Sequence, residues 1–106
     1  MIVPIKDKDY TTGKLVMVHA IQAMEVQKKL EKGELSEVES IDIMVDILAQ
    51  SLINGTEKIP YDEIKPEQVS EMKKLITYNL GLDSIEPIYV EMLNEMSGKH
   101  KADEGK

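Results

Sequence analysis

The sequence predicts a mainly α protein: a compact four-helix domain with a short β-strand or hairpin at its N-terminus. Three observations carry this. Apolar residues recur at three- and four-residue spacing through most of the chain. Ser36 and Glu39 form the Ser-x-x-Glu pattern in which each side chain satisfies the other residue's free backbone N–H at a helix start. Gly33, Gly55, Gly81 and Gly98 each follow a periodic stretch, where a helix is expected to stop.

Element by element, Ile2–Ile5 is β-branched with a Pro, which suits a short edge strand. Asp7-Lys8-Asp9 is a turn candidate, and Tyr10-Thr11-Thr12 returns as a second strand. Thr11 or Thr12 caps a first helix that starts near Gly13 and runs to about Glu31. The first half of that helix is apolar nearly all round, the pattern of a helix enclosed on several sides. Lys28, Lys29 and Lys32 complement the dipole at its end, and Gly33 stops it.

Helix 2 opens at the Ser36 capping box, runs to about Ile53 and is ended by Asn54-Gly55. A connector follows, in which Tyr61–Ile64 forms a helical turn. Helix 3 begins at Pro66, a favoured first helical residue, and stops at Gly81. Helix 4 is capped around Asp83-Ser84, carries Pro87 in its first turn and ends near Ser97-Gly98. Residues 1–98 therefore form a single domain. Residues 99–106 are polar, without an apolar anchor, and are expected to be a disordered tail.

Composition narrows the function. The 106 residues contain no Cys, Trp, Phe or Arg. Thirteen basic residues, all Lys, face 20 acids, for a net charge of −7. That charge repels phosphate backbones and anionic membranes, and without Arg there is no bidentate fork for guanine or phosphate. Neither a nucleic acid nor a membrane is expected as partner. A chain without Cys has no disulfide framework or thiolate metal site, and fits the cytoplasm. MIVPIKDKDY does not read as a signal peptide, and no apolar run approaches the ~18 residues of a membrane span.

The helix faces differ. Val69, Met72, Leu75, Ile76 and Leu80 make one ordinary stripe, and Ile85, Ile88, Met92, Leu93 and Met96 another. On helix 2, Ile41, Met44, Val45, Leu48 and Leu52 form the main stripe, with Ile43 and Ile47 off it. Together they cover about 220° of the circumference. Either helix 2 is the central helix of the domain, or Ile43 and Ile47 meet another chain; they are the candidate partner-binding residues. Seven Met residues fill the core or, on the second reading, provide an adaptable surface for irregular partners.

Residues that carry chemistry are few. Glu39, Asp42 and Asp46 share a helical face at a spacing that can hold Mg²⁺, as in all-α nucleotide hydrolases. A solvated acidic face accounts for them as well, and the further carboxylates such an enzyme needs are not evident. His19 lies in the apolar half of helix 1 without a local orienting partner or nucleophile, and reads as a partly buried, hydrogen-bonded His. DKDYTTG lacks the Gly and Glu of a calcium loop, having Thr12 and Val18 at those positions. No catalytic, cofactor or metal site is expected, and no enzyme activity.

The order of elements carries a resemblance. I-x-x-I-K-D-K-x-Y at the start leads into the helix QAMEVQKKLEKGE. The acidic helix ESIDIMVDILAQSL, the I-P-Y-D-E-I connector, and helices closing with NLG and EMLNEMSGK follow. This pattern resembles the small tail assembly chaperones of long-tailed (siphovirus-type) phages of Gram-positive hosts. The resemblance implies a mostly helical, non-enzymatic protein of the host cytoplasm. Such a protein holds the tape measure protein soluble while tail tube subunits polymerise around it. It also implies a longer product made by a programmed frameshift near the C-terminus. No catalytic residues carry over. A homo-oligomer is compatible with this reading. The residues alone equally suit a small acidic helical adaptor or a regulatory dimer.

Overall fold

The three other helices and the second strand all pack against the second helix. The computed structural model describes residues 1–14 and 17–104; the side chains of Met17, Val18 and residues 96–104 are also outside the description. Its elements are β1 (Ile2–Ile5), β2 (Lys8–Thr11), α1 (Met17–Glu31), α2 (Glu37–Glu57), a 3-10 turn at Tyr61–Glu63, α3 (Pro66–Asn79) and α4 (Leu82–Glu104). Four helices and an N-terminal hairpin are the architecture that the periodicity predicts.

The hairpin is antiparallel, with Val3 opposite Tyr10 and Ile5 opposite Lys8. Its turn is therefore Lys6-Asp7, one step before the expected Asp7-Lys8-Asp9. The two-residue strand period explains the register: it aims both Val3 and Ile5 at the core, where each is 1% exposed. Pro4 is tolerated because each strand of a two-stranded sheet is an edge.

Thr11 and Thr12 do not cap α1, as the sequence led one to expect. The Thr12 N–H and hydroxyl both donate to the carbonyl of Met1, and the Thr11 N–H donates to Thr56 Oγ1 at 2.8 Å. The expected helical start at Gly13 also gives way: the Gly13 N–H donates to the Ser51 carbonyl at 2.8 Å. Leu15 and Val16 lie outside the described residues. Gly33 is the stop expected of it, with φ +72°.

The α2 start follows the sequence reading. Ser36 Oγ accepts from the Glu39 N–H and Glu39 Oε1 from the Ser36 N–H, each at 3.1 Å. The end does not. α2 runs through Asn54-Gly55 to Glu57, and Lys58 takes the left-handed cap at φ +60°. Asn54 donates to the carbonyl of Ile59 at 2.8 Å, and Gly55 lies in the last turns against the backbone of Thr11 and Thr12.

α2 contacts α1, α3, α4 and β2. Val45, Ile47, Leu48, Leu52 and Ile53 are at most 1% exposed. Val3 and Ile5, Met72 and Ile76 of α3, and Ile85, Tyr89 and Met92 of α4 complete the core. Met72 and Met92 thus fill the interior, as the ordinary reading of the methionines has it.

Helix 4 begins a turn early. Ser84 and Ile85 N–H groups bond the Gly81 carbonyl at 2.9 and 3.0 Å, so Pro87 falls in the second turn rather than the first. Its missing N–H leaves the Asp83 carbonyl without its helical partner, the cost a Pro inside a helix carries. Nor does the helix end at Ser97-Gly98: its backbone continues to Glu104. A Gly inside a helix costs only ~1 kcal/mol, and the residues after it are compatible with helix. How the expected tail, 99–106, packs lies outside the described side chains.

Candidate protein-binding groove

α1 is the least embedded helix. Of its described side chains only His19 (3%) and Val26 (7%) are buried. Ile21 is 48% and Met24 61% exposed, so the described part of this apolar half is not enclosed on every side, contrary to the all-round apolar pattern. α1 rests on α2 alone among the well-contacted elements. A space is left on either side of it.

The apolar side is a groove of about 570 Å³ between α1 and α4, floored by α2. Ala23, Met24 and Leu30 form one wall, and Ile41 and Met44 the floor. Tyr89, Val90 and Leu93 form the other wall, with Glu37 and Glu86 among the lining residues. Val90 is 45% exposed. Tyr89 is 4% exposed, and its hydroxyl has no hydrogen-bond partner among the described residues. Burial pushes its phenol pKa up, so it stays a protonated donor through the neutral range.

The other side is polar. A smaller space of about 350 Å³ is lined by Gln22, Glu25 and Lys29 of α1 with Asp42, Ile43, Asp46 and Lys73. Lys73 Nζ pairs with Asp42 at 3.1 Å and with Asp46 at 4.0 Å. Asp46 accepts from Gln50 Nε2 at 3.0 Å. That bond leaves Gln50 Oε1 as an acceptor, so His19 Nε2, 3.2 Å away, carries the proton and donates it. His19 also sets its ring edge-on to Tyr61, with centroids 4.7 Å apart. The Tyr61 hydroxyl donates to the Lys14 carbonyl. Burial raises the Tyr61 pKa, and the Ser51 hydroxyl partly reverses this.

Glu39, Asp42 and Asp46 therefore do not converge. Glu39 folds back onto Ser36, while the two aspartates turn to Lys73. Among the described residues no cluster of three or more His, Asp or Glu is placed to hold a metal ion. His19 is a clamp between α1 and α2, with an orienting partner 31 residues away that its own helix could not reveal.

The two residues singled out for partner binding fall elsewhere. Ile47 is 0% exposed and belongs to the core, which corrects the expectation that it meets another chain. α2 has neighbours enough to cover its broad band, because the hairpin as well as three helices surrounds it. Ile43 is half-buried in the polar-side space, not in the apolar groove. Reading single stripes missed Tyr89, which falls within the helix 4 stripe, and Val90, which lies beside it. Among the described residues no helix is long and apolar enough to cross a membrane. In comparisons with known protein families, curated proteins and solved structures, nothing matches the chain.

The cap of α2 makes a pH prediction. Hydrogen bonds from the backbone and side chain of Ser36 hold the Glu39 pKa below its ordinary 4.5. A carboxylate with a lowered folded pKa contributes stability that is fully present above pH 4.5 and lost as pH falls through the folded value. Glu39→Gln is therefore expected to lower the thermal midpoint at neutral pH. The gap from the wild type should narrow on acidification through this range. A gap constant from neutral pH into acid would contradict the assignment.

Proposed function

We propose that the chain is a non-enzymatic protein-binding module acting as a phage tail assembly chaperone, one that keeps a tape measure protein soluble while the tail is built. The observation that carries this is the apolar groove with exposed Met24 and Val90 on its opposite walls. Exposed apolar side chains are ordinary singly, but gathered along one groove they favour association. Methionine adapts to irregular surfaces, which a holdase must accept. The net charge of −7 keeps such a protein soluble. The sequence resemblance supplies the partner.

Co-expression with the tape measure protein of the same genome tests this. The wild type is expected to keep that protein in the soluble fraction. The double variant Met24→Glu, Val90→Glu should fail, with association at least about a hundredfold weaker, because two apolar contacts of roughly 1.5–3 kcal/mol each are lost. Both side chains are exposed, so the variant should keep the wild-type circular dichroism and melting point. A tape measure protein that stays insoluble with the wild type would defeat the chaperone reading. A double variant that works normally would remove the groove from it.

A further inference from the structure

We infer that the groove between α1 and α4 takes an amphipathic helix of a partner protein, one whose apolar face is flanked by Lys or Arg. This rests on the protein-binding reading above and names the occupant.

Two features select it. The groove is bounded by helices, and its lining residues recur at helical spacing: Ala23 and Leu30 on one wall, Glu86, Tyr89 and Leu93 on the other. A helix laid between them presents side chains at the matching period, the mode used by grooves that recognise single helices. Among the described residues the lining contains Glu37 and Glu86 and no lysine. Both carboxylates are exposed, so the rim is negative and favours a basic flank. A second copy of this chain, itself at −7, is disfavoured by the same charge.

The probe is a synthetic leucine–lysine peptide of about 14 residues, patterned to form an amphipathic helix. Two controls are a peptide of the same composition with the pattern scrambled and a leucine–glutamate peptide of the same pattern. Binding is read by fluorescence anisotropy of the labelled peptide against the full chain. The patterned basic peptide is expected to bind at least about tenfold more tightly than either control. Glu37→Gln with Glu86→Gln should weaken it several-fold.

Equal binding of the scrambled peptide would show mere attraction of cations to an acidic protein, and would overturn the inference. So would a Glu37→Gln, Glu86→Gln variant that binds the basic peptide as tightly as the wild type. A dimer seen by sedimentation that is abolished by Met24→Glu would assign the groove to a second copy instead. If the peptides fail while the tape measure protein is still kept soluble, this inference falls and the chaperone reading stands.

Discussion

Ile47→Ser is expected to unfold the domain or bring it to the edge of unfolding. Ile47 is 0% exposed at the centre of α2, in one core with Leu48, Leu52 and Ile76. Truncating a buried Ile costs about 2–5 kcal/mol, and a hydroxyl left in an apolar site moves the cost toward the upper end. A domain of this size holds only ~5–15 kcal/mol in total. Ile43→Ser is the control: the side chain is half-buried beside Asp42 and Asp46, so a loss of about 1 kcal/mol is expected from partial burial. Urea unfolding followed by far-ultraviolet circular dichroism separates the two. An Ile47→Ser protein as stable as the wild type but impaired in binding would return Ile47 to an interface.

Gly55→Ala is expected to destabilise the protein by about 2–3 kcal/mol or more, the range of overpacked interiors. Helix propensity alone points the other way, since Ala is favoured over Gly inside a helix by ~1 kcal/mol. The steric term decides the sign. An added Cβ would lie 2.2 Å from the Thr11 carbonyl oxygen and 2.4 and 2.5 Å from the carbonyl carbon and oxygen of Thr12. These are backbone atoms, and they are fixed: Thr56 Oγ1 holds Thr11, and the Ser51 carbonyl holds Gly13. The hairpin must move off α2, uncovering Val3 and Ile5, or the last turn of α2 must unwind. Hydrogen exchange should show lost protection in the hairpin amides. A raised denaturation midpoint would contradict this packing.

These two residues also mark where the sequence was legible. The Ser36–Glu39 box and the Gly33 stop depend on neighbours three or four residues away, and both are read correctly from pattern. Gly55 follows Asn54, which locally looks like a helix stop. Its role is set by Thr11 and Thr12, more than forty residues earlier, so no local rule reveals it. The breadth of the apolar band on α2 was visible, but its meaning depended on how many elements surround the helix. The hairpin supplied the extra neighbour. Ile21 and Met24 of α1 misled for the converse reason: apolar residues on every side imply enclosure only when neighbours exist, and among the described residues α1 packs chiefly on α2. The groove follows from that shortage. It is a property of the assembly of α1, α2 and α4, and no one helix wheel contains it. The chain from His19 through Gln50 and Asp46 to Lys73 joins three helices in the same way.

Methionine-methyl NMR on the full chain tests the central claim most directly, because the methionines are divided between groove and core. Met24 and Met44 line the groove, while Met72 lies in the core. Titration with the tape measure protein, or with the patterned leucine–lysine peptide, is expected to shift the Met24 and Met44 methyl signals and leave Met72 in place. Shifts at Met72 with Met24 and Met44 unmoved would show that binding, if any, occurs elsewhere, and would contradict the assignment of this groove as the protein's working surface.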